Sequence, residues 1–373
     1  MAPMDNGMEK YLFSRADAFG IPLKTTLELT PLCNLSCRMC YLRHTASEVK
    51  EKGGLLPKEF WLDLIPELQK AETLFVALLG GEIFTLPWRG DLDTKLYEPG
   101  FYINLPTNAI LLSEDLPGWL KKDKPRYVTV SLYGASDESY EKLTGCRNGF
   151  SKMTAGVENL IRAGIPTRLN CMVLPENAEE IEEMAHFSKE YGLPVLTTAY
   201  SFPNGVRNNC SGYARFDPET AARTEFQMRK LTAAPEAFAN WVKWLRTPTD
   251  LKTESSALRT SHFTCRAAVS TAWVSWEGKL SACGMLEEPS ADLKDGHSFD
   301  DAWQLLKERT RAVELTGECA RCQSRKICSV CPAMIFSETG SFAGTPRYLC
   351  RFTEELRRLA RNEYGFDFPE EIS

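Results

Sequence analysis

The sequence lacks the long apolar runs that membrane proteins carry. No stretch approaches the roughly 18 consecutive apolar residues that a membrane-spanning helix needs. Residues 1–11 contain Asp5 and Glu9 and have no apolar core followed by a cleavage site, so no secretory signal is expected. No internal repeat or low-complexity tract is visible either. We therefore expect a cytoplasmic protein without a membrane partner.

The sequence also has no excess of positively charged residues. Lys and Arg number 44 against 50 for Asp and Glu, which gives a net charge of -6. This balance produces no global field that would attract nucleic acid, so no nucleic-acid partner is predicted. Apolar residues make up 43% and charged residues 25% of the 373 positions. These values indicate a globular chain with room for a barrel-sized domain and a smaller appendage.

The cysteines do not form the even set that a disulfide framework favours. The chain has 13 cysteines, and an odd total in a reducing compartment makes metal ligation the leading interpretation. Three of them lie between residues 33 and 40, and seven lie between residues 265 and 350. Of the remaining three, Cys171 falls inside a predicted strand, where we expect a core position.

Short β-type runs alternate with longer amphipathic runs from residue 24 to residue 201, which predicts repeated βα units around a parallel sheet. The predicted strands are 24–30, 74–79, 102–105, 127–132, 167–174 and 195–201. Helices are predicted over 58–71, over 137–163 with a break near Gly145, and over 177–191. The last of these carries four acidic side chains that we expect on a solvated face, namely Glu179, Glu180, Glu182 and Glu183.

The chain divides into three predicted segments. Residues 202–218 are rich in Asn, Gly, Pro and Arg, which marks a loop that leaves the last strand. We place an α/β domain at 1–218, a helical bridge at 219–260, and a metal-organised domain with the seven late cysteines at 261–373.

The first cysteine group directly follows the first predicted strand. Cys33, Cys37 and Cys40 have the spacing C-x3-C-x2-C, and three thiolates on one loop would leave one iron of a [4Fe-4S] cluster open. A zinc site with His44 as a fourth ligand is the alternative. The motif resembles the signature of the radical S-adenosylmethionine (radical SAM) enzymes, with Met39 where an aromatic residue is usual. The resemblance implies a cluster whose open iron chelates SAM, and a 5′-deoxyadenosyl radical that abstracts hydrogen.

Further segments resemble the family's SAM-binding positions. Gly80, Gly81 and Glu82 follow the second predicted strand as in the family's G-G-E segment, which receives the amino group of SAM, although Ile83 replaces the usual Pro. The resemblance implies more SAM contacts at the carboxyl ends of later strands, where barrel enzymes keep their sites. These candidates are Thr107, Asn108, Ser131 for the carboxylate or ribose, Arg147 for the carboxylate and Asn170 for the ribose.

The seven late cysteines exceed one metal site. A zinc ribbon of Cys319, Cys322, Cys328 and Cys331 would leave three of them unused. The set resembles the SPASM domain, a cysteine-rich extension with two auxiliary [4Fe-4S] clusters. The resemblance implies a distal cluster on Cys319, Cys322, Cys328 and Cys350, and a proximal cluster on Cys265, Cys283 and Cys331. Because the proximal set has only three thiols, we hypothesise an open iron available to a substrate thiolate, to solvent, or to a distant residue such as Cys210.

Together these resemblances imply a partial (β/α)6 TIM-type barrel with a C-terminal iron-sulfur SPASM domain, three [4Fe-4S] clusters and SAM. The expected activity is modification of a ribosomally synthesised peptide or protein substrate, by a thioether or carbon-carbon cross-link. Cys146 and Cys210 are candidate catalytic hydrogen donors, and an external electron donor such as flavodoxin or ferredoxin is implied. Since Cys33 lies early in the chain, we expect no leader-binding domain ahead of the barrel.

Three alternatives remain open from the sequence. A sulfatase-maturing enzyme would oxidise a Cys or Ser to formylglycine, but its relatives usually carry eight cysteines in this region. A peptide epimerase would need a hydrogen-donating thiol. An iron-sulfur electron carrier or a zinc-stabilised binding module would leave the Gly-Gly-Glu segment without a purpose.

Overall fold

The structure is a computed structural model, and it describes residues 7–203, 207, 214–248, 263, 265–315, 317–328 and 330–363. Its centre is a parallel sheet of six strands, each paired with the next in sequence. The strands are β1 (Lys24–Glu28), β2 (Phe75–Leu79), β3 (Tyr102–Thr107), β4 (Tyr127–Leu132), β5 (Thr167–Met172) and β6 (Val195–Thr198). All six predicted strands are confirmed, and the mixed α/β class is confirmed with them.

Three short strands of the tail extend this sheet. β7 (Thr271–Val274) pairs in parallel with β1, and β8 (Lys279–Ser281) and β9 (Ser290–Asp292) follow in antiparallel order. The full order is β6-β5-β4-β3-β2-β1-β7-β8-β9. The cysteine-rich tail is therefore continuous with the barrel sheet, where the sequence suggested a separate unit. Pairing with β7 satisfies the backbone groups that β1 would otherwise leave open at an edge.

Helices connect the strands and cover one face of the sheet. Those of the barrel half are α1 (Gly7–Phe19), α2 (Ala46–Glu51), α3 (Lys58–Lys70), α4 (Arg89–Tyr97), α5 (Gly118–Lys122), α6 (Asp137–Thr144), α7 (Gly149–Arg162) and α8 (Ile181–Glu190). Those that follow are α9 (Pro218–Thr232), α10 (Pro235–Arg246), α11 (Phe299–Arg311), α12 (Gly317–Ala320), α13 (Arg325–Cys328), α14 (Pro332–Thr339) and α15 (Arg347–Glu363). Short 3-10 turns lie at Ile83–Thr85, Ile110–Leu112 and Ala178–Glu180.

Single residues set two of the helix boundaries. The predicted break near Gly145 is confirmed, because Gly145 ends α6 with a φ of 71°, a left-handed conformation that favours glycine. The bridge region instead divides into α9 and α10, since Pro235 stands in the first turn of a new helix.

Burial alternates along β3 and β5, whereas all but one residue of β1 and of β2 are buried. Val128, Val130 and Leu132 of β4 are fully buried against the helices, while Ser131 points to the opposite face and is partly exposed. Cys171 of β5 is also fully buried, which confirms its predicted core position. Within the described part of the chain, no helix has both the length and the apolar character needed to cross a bilayer.

The expectation of four solvated acidic side chains near α8 is wrong for one of them. Glu179, Glu182 and Glu183 are exposed, but Glu180 is only partly exposed. Its carboxylate accepts a hydrogen bond from the backbone N–H of Ala135 at 2.6 Å and another from the hydroxyl of Ser136. Glu180 therefore joins the start of α8 to the loop after β4.

Candidate functional site

The three early cysteines lie on the loop that follows the carboxyl end of β1. The backbone N–H of Leu35 donates to Cys33 Sγ at 3.4 Å, and that of Arg43 donates to Cys40 Sγ at 3.2 Å. Burial raises the pKa of the Cys33 thiol to about 11 and the pKa of Cys37 well above its usual value. Since thiolate is the form that binds metal, assembly of a cluster here would release protons. The N–H donors aimed at sulfur fit a thiolate ligand set.

Gly80 and Gly81 bring the turn after β2 against this loop. The N–H of Gly81 donates to the Thr30 carbonyl at 2.6 Å, and the N–H of Glu82 donates to the Leu32 carbonyl at 2.9 Å. A Cβ atom on Gly80 would collide with the Thr30 carbonyl oxygen, and one on Gly81 would collide with that of Leu32. Only glycine permits this close approach.

Glu82 is buried and joins the ends of two strands. Its carboxylate accepts hydrogen bonds from the Phe84 N–H at 3.1 Å, the Thr107 hydroxyl at 2.9 Å and the Asn108 N–H at 2.9 Å. Burial raises its pKa, and these hydrogen bonds act in the opposite direction. The carboxylate is thus occupied by the protein, and its predicted part in holding the amino group of SAM stays a prediction.

Asn108 connects β3 to the cysteine loop. Its side-chain amide donates to Asn34 Oδ1 at 2.9 Å and lies 3.8 Å from Cys33 Sγ. The side-chain oxygen accepts the N–H of Ile110 at 3.0 Å, which fixes the orientation of the amide. The structure therefore brings Thr107, Asn108 and the Gly-Gly-Glu segment to the first cysteine group, and their contact with SAM stays a prediction.

The three other candidate SAM contacts differ in where their side chains lie. Ser131 and Asn170 are register partners on β4 and β5, so they share one face of the sheet, and Asn170 is exposed. Arg147 is not brought to this site, because its side chain is 86% exposed and pairs with Glu141 at 3.1 Å.

Of the two candidate hydrogen donors, one can be located. Cys146 lies in the turn after α6, and the end of α6 packs beside the cysteine loop through two hydrogen bonds. The N–H of Ser36 donates to Thr144 at 2.8 Å and that of Arg38 to Leu143 at 3.0 Å. Cys210 lies outside the described residues.

The tail cysteines influence one another electrostatically in two groups, and their assignment to two clusters stays a prediction. Burial raises the pKa of Cys331 to about 11, and the neighbouring thiols of Cys283 and Cys265 raise it further. Burial raises the pKa of Cys319 to about 12, with added contributions from three neighbouring thiols. Those three belong to Cys328, Cys350 and Cys322. Backbone N–H groups again point at sulfur, from Met285 to Cys283 at 3.5 Å and from Ser324 to Cys322 at 3.4 Å.

Among the side chains that the structure describes, no three His, Cys, Asp or Glu residues converge on a point suited to one metal ion. In a cubane cluster each cysteine binds a different iron, so the sulfurs stand further apart than the ligands of a single zinc ion. Iron-sulfur clusters at these cysteines stay a prediction.

Sequence reasoning missed a buried ion pair beside both cysteine regions. Glu28 is fully buried at the end of β1, and Arg207, from the loop after β6, pairs with it at 2.7 Å. An acidic residue at the end of a buried strand could have indicated a buried partner, because the last four residues of β1, Glu28 included, are buried. Its partner is 179 residues away, so no local pattern could reveal the pair.

Comparison with known proteins agrees with this geometry. Residues 27–188 match the family model of the radical SAM superfamily. The chain is 26% identical over 328 residues to an AdoMet-dependent heme synthase of Methanosarcina barkeri, covering 84% of this chain and 92% of the relative. It is 22% identical to the sporulation killing factor maturation protein SkfB of Bacillus subtilis, covering 81% of this chain and 69% of SkfB.

A solved structure gives the same fold. Streptococcus suis SuiB, bound to its precursor peptide SuiA, superposes with a TM-score of 0.67 at 18% identity, covering 93% of this chain and 82% of SuiB. Residues 27–188 of this chain therefore match a radical SAM domain, and the described residues share the fold of SuiB.

Proposed function

We propose that this enzyme uses SAM to modify a ribosomally synthesised peptide, forming a thioether or carbon-carbon cross-link. The observation that carries the proposal is the convergence of the Cys33–Cys40 loop with the Gly80–Gly81 turn and the Asn108 amide at one end of the sheet. The peptide substrate is supported by the likeness to SkfB and to SuiB in complex with SuiA.

The chain's own residues would hold three clusters and SAM. Cys33, Cys37 and Cys40 would bind the first cluster, which supplies the electron that cleaves SAM to a 5′-deoxyadenosyl radical. The Gly80–Glu82 segment, Thr107, Asn108, Ser131 and Asn170 would orient SAM. Arg147 would have to leave its ion pair with Glu141 to contact the SAM carboxylate. An external reductant such as flavodoxin or ferredoxin would supply electrons in a cytoplasmic setting.

Two auxiliary clusters in residues 261–373 complete the proposal, after a barrel at 1–218 and a bridge at 219–260. Cys319, Cys322, Cys328 and Cys350 would bind the distal cluster, and Cys265, Cys283 and Cys331 the proximal one. Three thiols leave one iron for a substrate thiolate, solvent or Cys210. Spectra of the proximal cluster with and without peptide test this, because unchanged and fully cysteine-ligated spectra in both states contradict an open iron.

The likeness to the heme synthase favours a second candidate substrate, a tetrapyrrole. The 26% identity extends over 92% of that relative, compared with 22% over 69% of SkfB. Parallel assays separate the candidates. Haem formation without peptide turnover would favour the tetrapyrrole, whereas loss of two hydrogen atoms from a peptide encoded beside this gene would favour cross-linking. Formylglycine formation and peptide epimerisation, the latter with Cys146 or Cys210 as hydrogen donor, stay hypotheses.

The cofactor proposal is tested on anaerobically purified protein. About twelve irons per chain are expected for three cubes, together with dithionite-dependent release of 5′-deoxyadenosine from SAM. Replacing Cys33, Cys37 and Cys40 by Ala should abolish that release while the tail retains its iron. Cys171→Ala serves as the matched control, because this cysteine is fully buried in the core and belongs to none of the three groups. Zinc in the tail would contradict the proposal.

A further inference from the structure

A buried ion pair links the end of β1 to the loop after β6. Glu28 is fully buried, and the side chain of Arg207 is only 8% exposed. The two Glu28 oxygens accept Nη1 and Nη2 of Arg207 at 2.7 and 2.9 Å. A third donor, Nε1 of Trp273 in β7, reaches Glu28 at 3.0 Å. Such a forked pair is rigid, and removal of one partner leaves an uncompensated buried charge on the other.

Arg207 also contacts the loop of the proximal cysteine set. Its Nη1 donates to the carbonyl of Gly284 at 2.8 Å, and Gly284 directly follows Cys283. Gly284 in turn lies against the Trp273 ring, where a Cβ atom would collide. The Cys283–Gly284 turn is therefore held by the same two side chains that hold Glu28.

The first cysteine loop meets the pair from the other side. The Arg207 guanidinium lies 6.0 Å from the centroid of the Tyr41 ring, and Tyr41 directly follows Cys40. Arg207 therefore contacts both the residue after Cys40 and the residue after Cys283, so the ion pair lies between the two loops.

We propose that Glu28 and Arg207 are positioning residues that hold the Cys283–Gly284 turn beside the first cysteine loop and set the reduction potential of the proximal auxiliary cluster. This inference rests on the proposed function, because it requires that cluster to be bound. A fixed cation near the cluster stabilises the more negative, reduced state, and a fixed anion opposes it. Glu28 therefore keeps the potential lower than Arg207 alone would set it.

The test uses Glu28→Gln in the fully loaded enzyme. Arginine stays protonated in proteins, so this substitution leaves the Arg207 charge without its counter-ion. The expected result is a potential of the proximal cluster raised by at least 59 mV, which is a tenfold change in the ratio of reduced to oxidised cluster for one electron. The double variant Glu28→Gln/Arg207→Gln removes both charges and should return the potential toward the wild-type value. Redox titration followed by electron paramagnetic resonance measures both.

Glu9→Gln is the matched control. It changes the net charge equally and removes the partner of Arg126, which lies directly before β4 and so at the amino ends of the parallel strands, whereas Glu28 lies at the carboxyl end of β1. The potential of the proximal cluster should not respond to it.

A raised potential in Glu28→Gln that the double variant reverses supports the inference. Equal potentials in all variants, or a double variant shifted further than the single one, would overturn it. A tail that binds no iron in the wild-type enzyme contradicts the proposed function instead, so the two failures are distinguishable.

Discussion

At the scale of single residues, the first cysteine loop depends on positions that have no side chain at all. Gly80 and Gly81 pass so close to the carbonyl oxygens of Thr30 and Leu32 that a methyl group would overlap them. Cys33 is the next residue, so a displacement at Leu32 reaches the proposed cluster ligands directly.

We therefore expect Gly81→Ala to disturb the first site selectively. Overpacking of this kind costs about 1–3 kcal/mol, and the easiest relief is movement of the cysteine loop away from the turn. Iron analysis should show a deficit near one cluster, with 5′-deoxyadenosine formation lost. Gly118→Ala is the control, since the space around Gly118 is open. Full iron content and full SAM cleavage in Gly81→Ala would show that the contact is dispensable.

At the scale of secondary-structure elements, Glu180 ties the start of α8 to the loop that follows β4. Burial opposes its ionisation, but hydrogen bonds from Ser136 and Ala135 hold the pKa of the carboxyl below its usual value. A carboxyl group with a depressed pKa stabilises the folded state above its unfolded pKa, and the stabilisation disappears as the pH falls through the folded value.

Glu180→Gln should accordingly lower the free energy of unfolding by about 1 kcal/mol at neutral pH. The difference from the wild type should shrink once the pH falls below 4.5, the usual value for this side chain. Chemical denaturation at a series of pH values measures both effects. Glu183→Gln provides the comparison on the same helix, because Glu183 is exposed. A pH-independent difference would point to packing instead of charge.

The strands and helices also show which parts of the fold can be predicted from the sequence. The strands were predictable because β-type runs alternate with amphipathic ones, and the cysteine groups because their spacing is local. The sequence pattern predicts a solvated side chain for Glu180. Its hydrogen-bond partners lie 44 and 45 residues earlier in the chain, so no local pattern indicates them. The parallel pairing of β7 with β1 escaped prediction for the same reason: a strand of four residues carries little pattern, and its partner is set by the tertiary fold.

At the scale of the whole molecule, barrel and tail share a sheet and a hydrophobic core. Leu27 of β1, Val274 of β7, Trp303 of α11 and Phe352 of α15 belong to one cluster of buried residues. The sheet would be left with an open edge at β1 if the tail unfolded alone.

Barrel and tail should consequently unfold together. In the loaded enzyme we expect a single denaturation transition, with far-ultraviolet circular dichroism and cluster absorbance changing at the same denaturant concentration. The same experiment on Ala272→Pro, which removes a backbone donor in β7, should move both signals to lower denaturant in parallel. Loss of cluster absorbance well before the loss of secondary structure would contradict a shared core.

The neighbouring positions of β1, β7 and β8 in the sheet limit which parts of the chain can change in length. Cys40 follows β1 and Cys283 follows β8, and β7 alone separates these two antiparallel strands, which therefore lie about two strand spacings apart, at roughly 4.8 Å each. That interval is fixed by backbone hydrogen bonds and not by the length of chain between β6 and β7. Insertions or deletions between β6 and β7 can therefore vary that connection while the spacing of the two strands that precede the Cys40 and Cys283 loops stays unchanged.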